Sequence, residues 1–202
     1  MKGSYRSIAE PAEGIVKDRG SKFLSFIYPV QNESDVRDIL EQLRKEYHDA
    51  RHHCYAYRIG VDPLFVRAND DGEPSSSAGK PILNQIEKHN LTNILVVVVR
   101  YFGGNLLGVG GLINAYRTAT VIAIENSRIV RKTIRNSYRL TFEYPQMNDV
   151  MTIIKEHQVE TSNQVFEVSC TMNISIELDK EQLILSKLKS IDHCSFSRLT
   201  EK

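Results

Sequence analysis

Hydrophobic positions recur along this chain in three rhythms, each predicting a different element. From Gly14 to Val30 two apolar runs, GIVK and KFLSFIYPV, flank the polar DRGS. Asp18, Gly20 and Ser21 are turn formers, so the stretch reads as two strands around a turn. Val36, Ile39, Leu40, Leu43 and Tyr47 follow the i, i+3, i+4, i+7 spacing of a helix, which Asn32 or Ser34 can cap. HHCYAYRIGV alternates as a strand, with His52, Cys54, Ala56 and Arg58 on one face and His53, Tyr55, Tyr57 and Ile59 on the other. Pro81 to His89 reads as a short helix with proline in its first turn. Ile94 to Val99 is aliphatic without alternation, the mark of a central strand covered on both faces. Leu112 to Asn126 then reads as a buried helix and Arg128 to Ile134 as a strand.

From Ser137 the pattern restarts. SYRLTFEY is a strand with Tyr138, Leu140 and Phe142 on one face, and Pro145 to His157 a helix striped by Met147, Val150, Met151 and Ile154. Val159–Phe166 and Val168–Leu178 read as strands, Asp179 caps a helix through Leu188, and Cys194–Leu199 closes as a strand. The order β-α-β-β-α-β is the ferredoxin-like succession. The expected division is a first domain over 1–135 and a second over 136–202, in an α+β chain.

Composition is that of a soluble globular protein, with 41% hydrophobic and 25% charged residues. No apolar run approaches the ~20 residues of a membrane span, and the N-terminus lacks the apolar core of a secretory signal. Cys54, Cys170 and Cys194 are odd in number and far apart, which points to free thiols in a reducing cytoplasm. Net charge is +1, but residues 100–135 carry six basic residues and one acid. That excess beside glycine-rich loops either attracts phosphate or an acidic protein face, or is a solvated surface.

Six of the eleven glycines fall between Gly79 and Gly111, in two loops flanking the aliphatic strand, NDDGEPSSSAGKPIL and RYFGGNLLGVGGLINAY. Glycine placed beside a buried strand indicates a tight turn or close approach to bare backbone. Gly72 to Lys80 fails the P-loop spacing and Gly108 to Ile113 fails the dinucleotide-binding spacing. Adjacent His52 and His53 point to opposite strand faces and cannot share a metal; no metal site or cofactor is expected. Asp70, Asp71 and Glu73, with Ser75 beside them, repel one another unless compensated. They form either a site for a divalent cation or a general acid/base pair, or an acidic turn tied by hydrogen bonds to backbone amides. Lys80 opens a helix, where a cation faces a positive helix end and is better tolerated if it meets an anion. Gly103, Gly104, Gly108, Gly110 and Gly111 precede a helix and present amides suited to phosphate, or permit close helix packing. Arg100 and Arg117 supply positive charge, and Tyr101 and Phe102 could stack on a base or pack in the core.

DDGEPSSSAGKPIL followed by VVVVRYFGGNLLGVGGLINAY, together with RHHCYAYRIG and RGSKFLSFIYPV, resembles the signature of the IMPACT/YigZ family over nearly the whole chain. The resemblance implies a first domain similar to the second domain of a small-subunit ribosomal protein and to domain IV of elongation factor G. It implies a ferredoxin-like second domain similar to domain V of that factor. It implies no established catalysis. It implies instead a role in translation regulation, through nucleic acid or the translation machinery in bacterial members and through a kinase activator in eukaryotic ones. Two positions depart from the pattern: Ser76-Ser77 replace the usual Gly-Thr, and Leu106 replaces the usual lysine. Three readings follow. The first is a non-enzymatic module binding RNA or a ribosome-associated protein. The second is an enzyme on a phosphorylated small molecule, with Asp70 or Asp71 holding a cation and Lys80 meeting phosphate. The third is a protein-binding adaptor docking through Tyr55, Tyr57 and the acidic second domain.

Overall fold

The computed structural model describes residues 3–199. They divide into two compact units, one over Tyr5–Lys132 and the other from Thr133 onward together with residues 3–4.

The first unit is built on five antiparallel strands. These are β2 (Ala12–Asp18), β3 (Ser21–Pro29), β4 (His52–Ile59), β5 (Phe65–Asn69) and β6 (Ile94–Tyr101), in the order β2-β3-β6-β4-β5. β1 (Ser4–Ile8) and β7 (Ile129–Thr133) form a separate two-stranded sheet. The aliphatic strand β6 is central, and each of its faces is covered. Val96 and Val98 face the cluster under α2 (Gly79–Lys88) and α3 (Gly108–Asn126), with Phe23, Ile82, Ile86 and Tyr116. Leu95, Val97 and Val99 face Val36 and Leu43 of α1 (Glu33–Glu46). Asn32 caps α1, its side chain accepting from the amides of Ser34 and Asp35. Strands β2 and β3 join through Arg19 and Gly20, both at positive φ (45° and 84°), as a two-residue hairpin of matching twist requires.

The second unit follows the expected β-α-β-β-α-β succession. Its elements are β8 (Arg135–Glu143), α4 (Met147–Glu156), β9 (Glu160–Val165), β10 (Ser169–Glu177), α5 (Glu181–Lys189) and β11 (Ser195–Arg198), with sheet order β11-β8-β10-β9. Tyr138, Leu140 and Phe142 enter its core with Val150, Ile154, Met172, Ile184 and Leu188.

Five details differ from the sequence expectation. α3 begins at Gly108, four residues early, so its glycines form the first turn instead of preceding it. α2 likewise begins at Gly79. Asp179 lies in a short 3-10 turn, Leu178–Lys180, and does not cap α5. β1 and β5 are strands that the pattern alone did not mark, being short and weakly alternating. Both faces of β4 are buried, so Tyr55 and Tyr57 lie in the core beside α1, not on a docking surface.

Candidate functional site

The loop from Asp70 to Ala78 closes on itself and on its neighbours. The Asp70 carboxylate accepts from the amides of Ser76 (2.8 Å), Ala78 (3.0 Å) and Gly79 (2.8 Å). The last two open α2, so an internal carboxylate occupies the place an external anion would take. Asp71, at positive φ, accepts from Arg44 and from the His53 amide, both at 2.7 Å. Burial alone would raise its carboxyl, but the Arg44 guanidinium and that amide outweigh burial and hold it below the usual range. Its carbonyl accepts from His52 Nδ1 at 2.8 Å. Gly79 is required because a Cβ there would lie 2.6 Å from the Asn69 nitrogen.

Glu73 carries the loop into the core. One carboxylate oxygen accepts from Arg100 Nη1 at 2.7 Å and from the Tyr116 hydroxyl at 2.8 Å. Alternation along β6 directs Arg100 to the same side as Val96 and Val98. There its guanidinium lies 5.5 Å from the Phe23 ring centroid and 5.6 Å from that of Phe102, within cation–π range. The Cys54 thiol is 3.0 Å from the Asp70 carbonyl oxygen and 3.3 Å from the Tyr116 hydroxyl. Burial pushes both the thiol and the Tyr116 hydroxyl up, and the Glu73 carboxylate adds to each rise. The three carboxylates singled out in the sequence therefore each have protein donors. Among the described residues no group of three or more His, Cys, Asp or Glu side chains is arranged to hold a metal ion. Ser75 is exposed, and Lys80 is exposed in the first turn of α2.

Arg100, expected to meet phosphate, is instead enclosed: its side chain is 7% exposed and paired to a carboxylate. A buried guanidinium already neutralised by Glu73 has no open face for a second anion. Arg117 is exposed and donates to Asn114.

The second glycine loop is open. A Cβ at Gly104, Gly108 or Gly110 would meet no atom within 4 Å, and all three positions are exposed. α3 starts with no side-chain cap and no acid in its first turn. Among the described residues, the amides from Gly104 to Gly110 find no hydrogen-bond partner outside α3. Gly103 differs, since it packs backbone to backbone on Gly20 and its amide donates to Ser21 Oγ at 3.1 Å. The hairpin turn thus stands against the open loop, and Asn105 Nδ2 donates to the Arg19 carbonyl. That brings in Lys17, Arg19 and Lys22, cations the sequence reading passed over. Lys17 and Lys22 are cross-strand partners, and Lys22 is paired in register with Tyr101. A lysine on each side of a two-residue turn, KDRGSK, was the signal available.

A two-unit α+β chain with antiparallel sheets, one acidic glycine loop locked into the core and a second left open, is the class these features define. The Impact N-terminal domain matches residues 19–124, and the chain belongs to the IMPACT family, of the bacterial two-domain type. The IMPACT family member YigZ of Escherichia coli (strain K12) is 30% identical over 95% of this chain and 95% of its own length. An IMPACT family member of Haemophilus influenzae is 34% identical over 77% of each chain. A crystal structure described as that of a hypothetical protein covers 100% of both chains at 29% identity, with a TM-score of 0.75. Yih1, described as a two-domain translational regulator, is 28% identical over 63% of this chain. Its TM-score of 0.39 is too low for its fold to bear on this one. No helix among the described residues is long and apolar enough to cross a membrane.

Proposed function

We propose that this protein is a non-enzymatic binding module of the cytoplasm, linked to translation, that holds the phosphate backbone of RNA at the open end of its first unit. The observation that carries this is the uncapped start of α3. Its amides lack partners, its first turn lacks an acid, and Lys17, Arg19 and Lys22 belong to the hairpin packed on the same loop. Unpartnered helix-start amides attract anions, and basic residues on the adjoining hairpin add sequence-independent affinity. Phe102, half exposed, is available to a base. The succession and strand order of the second unit support reading it as ferredoxin-like, and with the resemblance they support similarity to the adjoining domains of elongation factor G. A reading as a small-molecule enzyme is disfavoured because Asp70, Asp71 and Glu73 are each engaged by protein donors.

Gly110→Asp is the discriminating variant. It places a carboxylate in the first turn, where there is room for a side chain and where acids stabilise helices. Folding is therefore kept while the amides gain an internal competitor. Fluorescence anisotropy with single-stranded RNA should show about tenfold weaker binding, and Arg19→Glu with Lys22→Glu should weaken it further. Unchanged affinity in both variants, or no salt-sensitive RNA binding by the parent chain, refutes the proposal.

A further inference from the structure

The connection between β9 and β10 carries apolar side chains where a turn ordinarily uses Gly, Asn, Asp or Pro. Val168 is 91% exposed, Phe166 48% and, opposite them after β8, Tyr144 65%. The core of the second unit is complete without these three. With Pro145, Glu143 and Glu167 they line one groove of about 690 Å³. Contiguous exposed apolar side chains rimmed by polar ones mark interaction surfaces.

The charges of the groove select the occupant. Its acidic residues are Glu143 and Glu167, and no lysine or arginine lines it. Among the described residues the one basic side chain within 4 Å of either carboxylate is His193, whose Nδ1 is 3.8 Å from Glu143. Residues 136–202 as a whole carry seven Lys/Arg and ten Asp/Glu. Two carboxylates beside the aromatic rings repel a phosphate backbone, which disfavours nucleic acid. A second copy of the chain docking about a two-fold axis would set this acidic patch against itself. A basic segment meets neither objection. Its apolar side chains fit between Tyr144, Phe166 and Val168, and Lys or Arg side chains reach the carboxylates and the ring faces.

We propose that this groove is the docking site for a basic amphipathic segment of a partner protein, separate from and independent of the RNA surface of the first unit. The probe is a fluorescent amphipathic helical peptide of leucine and lysine, titrated against the full-length chain, with its leucine–glutamate counterpart and single-stranded RNA as controls. The basic peptide should bind and the acidic one should not. Amide shifts in the labelled protein should concentrate at Tyr144 and Phe166–Ser169. Phe166→Ser with Val168→Ser should weaken binding about tenfold or more. Glu143→Gln with Glu167→Gln should weaken it and flatten its salt dependence. All four side chains are on the surface, so circular dichroism should show both variants folded. The proposal is overturned by no binding of the basic peptide, equal binding of both peptides, unchanged affinity in both variants, or RNA competing for the groove. It is equally overturned by a concentration-dependent dimer in sedimentation that Phe166→Ser with Val168→Ser abolishes, which would make a second copy the occupant.

Discussion

Glu73 and Arg100 are a buried ion pair whose charges are held by geometry. Removing either partner leaves the other charged and dehydrated, a loss of about 3–5 kcal/mol. Glu73→Ala and Arg100→Ala should therefore each lower stability strongly in urea unfolding. Glu73→Leu combined with Arg100→Met should lose far less than the two single losses added together; strict additivity would show that the pair is uncoupled. His53 makes a second residue-scale prediction. Burial, and then the Arg44 charge, lower its pKa from the usual 6.5 despite the opposing pull of Asp71. The folded form keeps the ring neutral while the unfolded chain protonates it. Stability is full above about pH 6.5 and falls as pH drops below that value. Asp71, also lowered, acts in the same direction at lower pH, its contribution present above the usual carboxyl range and lost beneath it. His53→Gln should flatten the decline between about pH 6.5 and 5 in thermal melts, and an unchanged slope would assign it elsewhere. The carboxylates were legible in the sequence as a group needing compensation. Their partners were not, because Arg100 and Tyr116 stand 27 and 43 residues beyond Glu73 and only the sheet and α3 bring them together.

At the scale of elements, two glycines that look alike in GGNLLGVGG have opposite duties. Gly103 lets the end of β6 touch the β2–β3 turn, and a Cβ would overlap Gly20 backbone. Gly103→Ala should cost about 1–3 kcal/mol through overpacking. Gly110, in open space at the first turn of α3, should gain a few tenths up to about 1 kcal/mol on substitution by alanine, from propensity. Differential scanning calorimetry that ranked the two in the reverse order would contradict the described packing. The early start of α3 was missed for the same reason. Glycine argues against helix at each position singly, yet the first turn makes few intrahelical bonds and tolerates it. The strand β6, by contrast, announced its central place, because an aliphatic run without alternation has no polar face to give to water.

For the whole molecule, a net charge of +1 conceals a separation: the first unit, Tyr5–Lys132, carries 17 basic and 15 acidic residues, and residues 133–202 carry 8 and 10. Bound RNA should therefore engage the first unit, and the log–log salt slope should be about 2 if Lys17, Arg19 and Lys22 each neutralise one phosphate, at roughly 0.7 per contact. A slope near zero would remove phosphate contact from the account. The chain alone determined the succession of elements apart from β1 and β5, the central strand, the restart at Ser137 and the family, since these follow from side-chain periodicity and from motifs continuous in sequence. Tertiary structure decided which charges remain available. It drew Arg100 inward to Glu73, filled the start of α2 with Asp70, and left the start of α3 open beside a hairpin more than eighty residues earlier in the chain. Solvation is a property of packed surfaces, so no local pattern could say which of two glycine loops would keep its amides free.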